Sequence, residues 1–254
     1  DIDADGLTDV FFAADVGGQV WRFDIDNSGS DSVIKGGVIA KLAGTGTDEN
    51  RRFYVKPDVS LLKRSNGQVV YAIGIGSGYR AHPLSTVTQD RYHMLFVESV
   101  QTAPASYPVL TEDDLLDVTN NLNPDLTGSN GWYIDLEPGE KVMARSKTVD
   151  GLTLFTTYKP TTGNANSCAP SQGLGRLYAV NTYDARPLHN LDGVGTLGSL
   201  TKDDRSLTLV RGGIQPEPTL IFTKDDHPII VVGTEKVSEI PLHLPLERTS
   251  WEDQ

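Results

Sequence analysis

Cysteine is almost missing from this chain: Cys168 is the single one among 254 residues. No disulfide can therefore form within the chain, and the surrounding Asn164-Ala165-Asn166-Ser167 and Ala169-Pro170-Ser171 mark a loop cysteine. A bridge to another polypeptide and a free thiol are both open readings, and compartment does not follow from either. No apolar run approaches the roughly 20 residues that a membrane-crossing helix requires. Basic charge is in deficit, with 22 Lys and Arg against 34 Asp and Glu and a net charge of −12. That balance argues against the sequence-independent nucleic-acid binding that basic surface supplies. The first residue is not Met and no signal-peptide pattern follows it, so upstream parts, any targeting segment included, are expected to lie outside this chain.

Catalytic patterns are also scarce. His82, His93, His189, His227 and His243 are scattered, with no pair at metal-ligand spacing on a helix. No Gly-x-Ser-x-Gly elbow occurs. Gly74-Ile75-Gly76-Ser77-Gly78 lacks the lysine of a phosphate loop and any following helix, and reads as close packing at a strand end. Arg211-Gly212-Gly213 reads as a turn. Helix signals are few: residues 111–118 open on Thr111 with Glu112, Asp113 and Asp114 in the first turn, which predicts one short inserted helix.

What the chain does have is an acidic opening. Asp1, Asp3, Asp5 and Asp9 stand at alternate or near-alternate positions, with Gly6 between them. Calcium takes six to eight oxygen ligands at about 2.3–2.6 Å, and alternate side chains of a tightly curled loop supply them. Gly6 permits the sharp turn, and the carbonyl of Leu7 is placed to serve as a backbone ligand. Asp9 closes the set from the ninth position. The loop is not an EF-hand: position 12 is Phe12 rather than Glu, and the flanks read as strands. A solvated acidic turn is the alternative, since Asp and Gly favour turns in any case. Four correctly spaced carboxylates favour the metal. Residues 24–32 echo the pattern weakly, with Ser28, Ser30 and Ser32 at later positions, and read as a turn, with cation binding as the lesser alternative.

The rest of the chain repeats a theme of an apolar strand, a polar gap and an aromatic-bearing strand. The pairs are residues 10–14 with 19–24, 69–76 with 92–97, 152–158 with 175–180, and 228–233 with 237–242. Further strands are expected at 57–62 and 217–222. Gly 25 and Pro 14 fit many turns and short strands. The runs at 69–75 and 229–232 are continuously apolar, as strands buried on both faces are. The expected fold is all-β, with units of antiparallel strands that suit the blades of a β-propeller. A β-sandwich is the structural alternative, but its strand spacing is more regular. Trp21, Trp132 and Trp251 could stack on sugars, although strand tryptophans more often pack blades.

These residues resemble the C-terminal propeller of PilY/PilC-type type IV pilus tip adhesins. The resemblance lies in the acid loop with the Trp21-Arg22-Phe23-Asp24 strand, and in residues 76–84 (Gly-Ser-Gly-Tyr-Arg-Ala-His-Pro-Leu). It continues through residues 131–136 with 139–142, and through Pro216-Glu217-Pro218 to the tail at Arg248-Thr249-Ser250-Trp251. It spans essentially residues 1–254 in the family's order. It implies a quinoprotein-like propeller of which this chain forms an incomplete ring of about four blades. The upstream blades and N-terminal region of the same protein would then complete the ring. It further implies calcium held by Asp1, Asp3, Asp5, the Leu7 carbonyl and Asp9, and no enzymatic activity. The implied setting is extracellular, at the pilus tip or bacterial cell surface, with outer-membrane association. The implied partners are minor pilins and a host or abiotic surface ligand. The implied roles are pilus assembly, calcium-dependent control of extension and retraction, and attachment. Two other classes are weighed beside it. One is a calcium-stabilised propeller scaffold for protein–protein contact, which usually repeats the acid loop in successive blades. The other is a quinoprotein dehydrogenase, which would hold its metal beside a quinone.

Overall fold

A computed structural model describes residues 5–29, 33–64, 66–161, 172–222, 229–237 and Ile240. Sixteen strands among them form four separate sheets that follow one another along the chain. The first sheet is β1 (Val10–Ala14), β2 (Gln19–Asp26) and β3 (Val33–Lys41), all antiparallel. The second holds β4 (Asp58–Lys63), β5 (Val69–Gly76), β6 (Arg91–Val97), β7 (Leu116–Asp117) and β8 (Gly131–Asp135), in the order β4-β5-β6-β8-β7. In the third, β9 (Lys141–Val142) and β10 (Lys147–Val149) pair with β11 (Leu152–Lys159). Strand β12 (Leu174–Asn181) lies on the other side of β11 and is followed by β13 (Ser206–Thr208). The fourth is the meander β14 (Pro218–Ile221), β15 (Ile229–Val232) and β16 (Glu235–Val237).

Three apolar clusters lie between consecutive sheets. Val20, Ile39 and Phe12 meet Tyr71, Ile73 and Ile75 between the first and second. Tyr92, Met94 and Trp132 meet Phe155 and Tyr178 between the second and third. Leu154, Leu177 and Ala179 meet Ile230, Val232 and Val237 between the third and fourth. Strand β5 shows why its sequence is continuously apolar. Val70 and Ala72 point into one cluster while Tyr71, Ile73 and Ile75 point into the other, because successive side chains leave a strand on opposite faces. Each such fully buried side chain contributes about 1.5–3 kcal/mol.

The middle interface is centred on a ring stack. Phe155 lies 3.9 Å from Tyr92 and 4.6 Å from Tyr178, centroid to centroid and nearly parallel. Trp132 beside it is fully buried, and its indole N–H donates to the Thr182 carbonyl at 3.1 Å. This position keeps Trp132 out of any sugar-binding surface, and Trp251 lies outside the described residues.

The predicted hairpins at 10–14 with 19–24, at 69–76 with 92–97 and at 152–158 with 175–180 form as expected. The strands expected at 57–62 and 217–222 form as β4 and β14. Two expectations need correction. The helix predicted at 111–118 is a single 3-10 turn, Glu112–Asp114. Thr111 and Asp114 satisfy each other's groups there, and Leu116 and Asp117 then leave as a strand parallel to β8. Apolar demand wins over local helix preference, because Leu115 and Val118 are drawn into the adjoining clusters. The fourth unit turns back earlier than expected. Gly233, at φ +62, lets β15 pair at once with Glu235–Val237, so Val237 ends the partner strand instead of starting it. Of the expected 237–242, only Val237 and Ile240 are described. Among the described residues no helix is long and apolar enough to cross a membrane.

Candidate metal centre

The acid loop leads directly into β1. Gly6 adopts φ +86, and the Leu7 N–H donates to Asp5 Oδ1 at 2.7 Å. This side-chain-to-backbone turn is one that short acidic side chains favour. It curls the chain so that Leu7 stands half exposed. Asp9 is then fastened to the first sheet, because its carbonyl accepts from Ile25 N–H at 2.7 Å. That bond adds one rung beyond the Val10–Asp24 pairing.

The weak echo of the motif folds back onto this loop. Asp26 Oδ1 accepts from both the N–H and the hydroxyl of Ser28, at 3.0 and 2.6 Å. The Ser28 hydroxyl, then its N–H, hold the Asp26 carboxyl below its usual range. Next to it the Asn27 amide donates to the Thr8 carbonyl at 3.3 Å and to Asp9 Oδ1 at 3.4 Å. Asp5, Asp9 and Asp26 thereby line one pocket of about 430 Å³, with Lys35 also on its wall and Gln101, Thr102 and Ala103 contributed by the loop after β6.

Asp24, on the same rim, is committed elsewhere. Arg22 donates to it from Nε at 3.0 and 3.1 Å and from Nη2 at 2.7 Å, and the Tyr107 hydroxyl donates at 2.7 Å. Both members of this ion pair are buried. Burial first, and the bond to Asp24 second, push the Tyr107 hydroxyl up to about 12. Asp24 is thus a structural anion and not a loose ligand. Nothing in the sequence distinguished it from its acidic neighbours, apart from its place two residues after Arg22 on one face of a strand.

Of the expected ligands, Asp5, Leu7 and Asp9 lie together on the curled loop, while Asp1 and Asp3 lie outside the described residues. Among the described residues no three His, Cys, Asp or Glu side chains stand close enough to hold a metal between them. The donors that Asp5, Leu7 and Asp9 bring are all oxygens on a loop with the left-handed glycine such a curl needs. Their chemistry fits a hard cation. No known protein family, curated protein or solved structure matches the chain.

Two other polar clusters went unnoticed in the sequence. Glu112 receives Arg51 at 2.9 Å, Arg91 at 2.6 Å and the buried His93 ring at 3.2 Å. Burial, foremost, pushes the His93 imidazole down. Asp90, also buried, accepts from the Ser77 hydroxyl at 2.7 Å, and burial pushes its carboxyl up to about 6. Lys141 nearby donates to the carbonyls of Ser85 and Gly139 at 2.8 and 2.7 Å. These groups join separate loops to the second sheet, in positions that only the folded chain brings together.

Proposed function

We propose that this chain is a calcium-binding portion of a β-propeller from a type IV pilus tip adhesin, acting without catalysis at the bacterial surface. The observation that carries the reading is the curled, oxygen-lined loop set immediately ahead of the first hairpin of four sheets stacked in chain order. Calcium, when bound, supplies positive charge among Asp5, Asp9 and the remaining acids of the opening motif. Asp5 and Leu7 shape the loop, Asp9 ties it to β2, and Asn27 steadies Asp9 from across the hairpin. A cation that binds only the folded loop stabilises the fold by about 2.7 kcal/mol at a hundred times its dissociation constant.

The outward face of the first sheet supports the remainder of the reading. Phe11, Phe23 and Trp21 form a stacked row there, with ring centroids 4.7 and 6.3 Å apart. Phe11 and Ile34 are well exposed. A bare apolar sheet face of this kind calls for a cover, and a further blade of the same protein supplies one. Minor pilins and a host or abiotic surface are the partners proposed beyond it.

Calorimetric titration with calcium is the direct test. Wild-type chain is expected to bind, and Asp5→Ala together with Asp9→Ala is expected to abolish binding while the circular dichroism stays that of a β protein. In a bacterium carrying the same double substitution in its full-length protein, pilus number and twitching should change with calcium no longer. Unaltered calcium binding by the double variant removes the metal centre. Normal pilus behaviour despite lost binding removes the regulatory role.

A further inference from the structure

We propose that the cleft of about 510 Å³ at which the second, third and fourth sheets meet binds an acidic segment of a partner polypeptide. This inference goes beyond the reading above and depends on no cation at the acid loop.

Three stretches of chain, each leading into a new strand, bound the cleft: Val55-Lys56 ahead of β4, Met143 to Arg145 ahead of β10, and Ile214 to Glu217 ahead of β14. Arg80, from the loop after β5, completes the wall. Glycine brings the second and third sheets close enough for this. A methyl on Gly76 would strike the Val142 side chain, and one on Gly78 the Val142 carbonyl. Without those methyls the Val142 N–H reaches the Ser77 carbonyl and donates to it at 2.9 Å. Arg80, two residues beyond Gly78, then donates to the Met143 carbonyl. The approach to β14 is tied in by the Thr156 hydroxyl, which donates to the Pro216 carbonyl at 2.9 Å. The walls are therefore set before any partner arrives, which lowers the cost of binding.

Charge supplies the preference. Lys56, Arg80 and Arg145 line the cleft against a single carboxylate, Glu217, in a chain whose net charge is −12. Lys56 is exposed and, among the described residues, joins no ion pair. Arg145 is held by Glu217 in the forked manner in which a guanidinium takes a carboxylate, with Nε at 3.0 Å from Oε2 and Nη2 at 3.2 Å from Oε1. Both side chains are partly exposed, at 30% and 48%. An exposed pair of this kind contributes at most about 1 kcal/mol, so an arriving carboxylate replaces Glu217 at little cost. Glu217 thus stands where a partner's acid would sit.

Between the charges the lining is aliphatic, from Val55, Met143, Ile214 and Pro216, with Ile214 half exposed. An extended peptide that alternates acidic and aliphatic side chains matches both features, and recognition of acidic motifs by cationic clusters is a recurrent mode of peptide binding. Among the described residues no aromatic ring lines the cleft, so the stacking that grips sugars and single-stranded nucleic acid is missing.

Fluorescence anisotropy tests the assignment, with this chain titrated into a short fluorescein-labelled peptide of alternating Glu and Leu. The peptide should bind, more weakly as salt rises, and its counterpart with Gln in place of Glu should not. Lys56→Glu is expected to weaken binding at least about tenfold, and Lys56→Arg to preserve it. Glu217→Gln removes the internal competitor and should tighten binding roughly threefold. Lys56 and Glu217 are both exposed, so thermal melts of these variants should match the wild type. No binding, equal binding of the Gln peptide, or unchanged affinity in Lys56→Glu overturns the inference. Weaker binding by Glu217→Gln does the same. Displacement of the peptide by equimolar inorganic phosphate or oligogalacturonate also overturns it, by assigning the cleft to a small anion or an acidic sugar chain. None of these results bears on calcium binding at the acid loop, which calorimetry decides separately.

Discussion

Truncating Phe155 to alanine separates this arrangement of stacked sheets from one held by its hairpins alone. Its ring is fully buried, with Tyr92 on one face at 3.9 Å and Tyr178 on the other at 4.6 Å. Those flanking rings belong to the strands of two different sheets, β6 and β12, and each is buried in its own right. Neither can swing in to fill the space, so the cavity stays open and the cost belongs in the upper part of the range of about 3–5 kcal/mol for such truncations. Each lost ring pair adds about 0.5–1.5 kcal/mol to area burial alone. For a chain of this size each kcal/mol moves the melting midpoint by about 2–4 °C, so a fall of roughly 10 °C or more is expected. Phe11→Ala is the matched control. It removes the same side chain from an outward sheet face where Phe11 is 41% exposed and keeps one ring neighbour, Phe23, and should cost about 1–2 kcal/mol in this chain, well below the Phe155 loss. Urea unfolding of both variants, followed by tryptophan fluorescence, gives the two values. Equal losses, or a Phe155→Ala loss below about 1 kcal/mol, would refute the placement of the ring stack at a sheet interface.

Gly36→Ala should be strongly destabilising, because its new methyl would sit 2.3 Å from the Phe23 ring and 2.9 Å from the Arg22 carbonyl. Gly67→Ala meets no atom and should cost only about 1 kcal/mol for its φ of +86; thermal melts of the pair check the contrast. Asp90, buried and raised to about 6 from 3.8, binds a proton in the folded chain at pH values where the unfolded chain has lost it. Its contribution therefore improves as pH falls from above 6 toward 4, and Asp90→Asn should flatten that window and be more stable at pH 7.5 by up to roughly 3 kcal/mol. Parallel pH slopes for the two proteins in denaturant titrations would rule this out. Arg22→Met strands the buried Asp24 carboxylate and should cost about 3–5 kcal/mol, whereas Arg22→Met with Asp24→Leu should recover much of it; a double variant no better than the single contradicts the ion-pair account.

The hairpins were legible because burial on two faces leaves a simple trace. Val69 to Ile75 is apolar throughout, and alternate residues do enter different clusters. Strand β3, the longest among the described residues, was not legible, since Gly36 and Gly37 imitate a turn. Their lack of side chains is a packing requirement: the Phe23 ring lies over one and the Tyr107 ring over the other. The 3-10 turn at Glu112–Asp114 was half legible, as its cap could be read but not its length. At the candidate centre, the spacing of Asp5, Leu7 and Asp9 was plain in the sequence. The crossing of Asn27 onto Asp9 joins positions 18 apart, and the grip of Arg22 on Ser99 joins positions 77 apart. Contacts over such separations leave no periodic mark, so local pattern could not supply them.

Among the described residues, three separate cores in series, with no cluster common to all four sheets, give the molecule nearest-neighbour cohesion. Damage to an outermost sheet need not travel, because the next interface keeps its own apolar contacts. Pulled at its ends, such a chain would come away layer by layer, each peeled layer lengthening the tether before the following one yields.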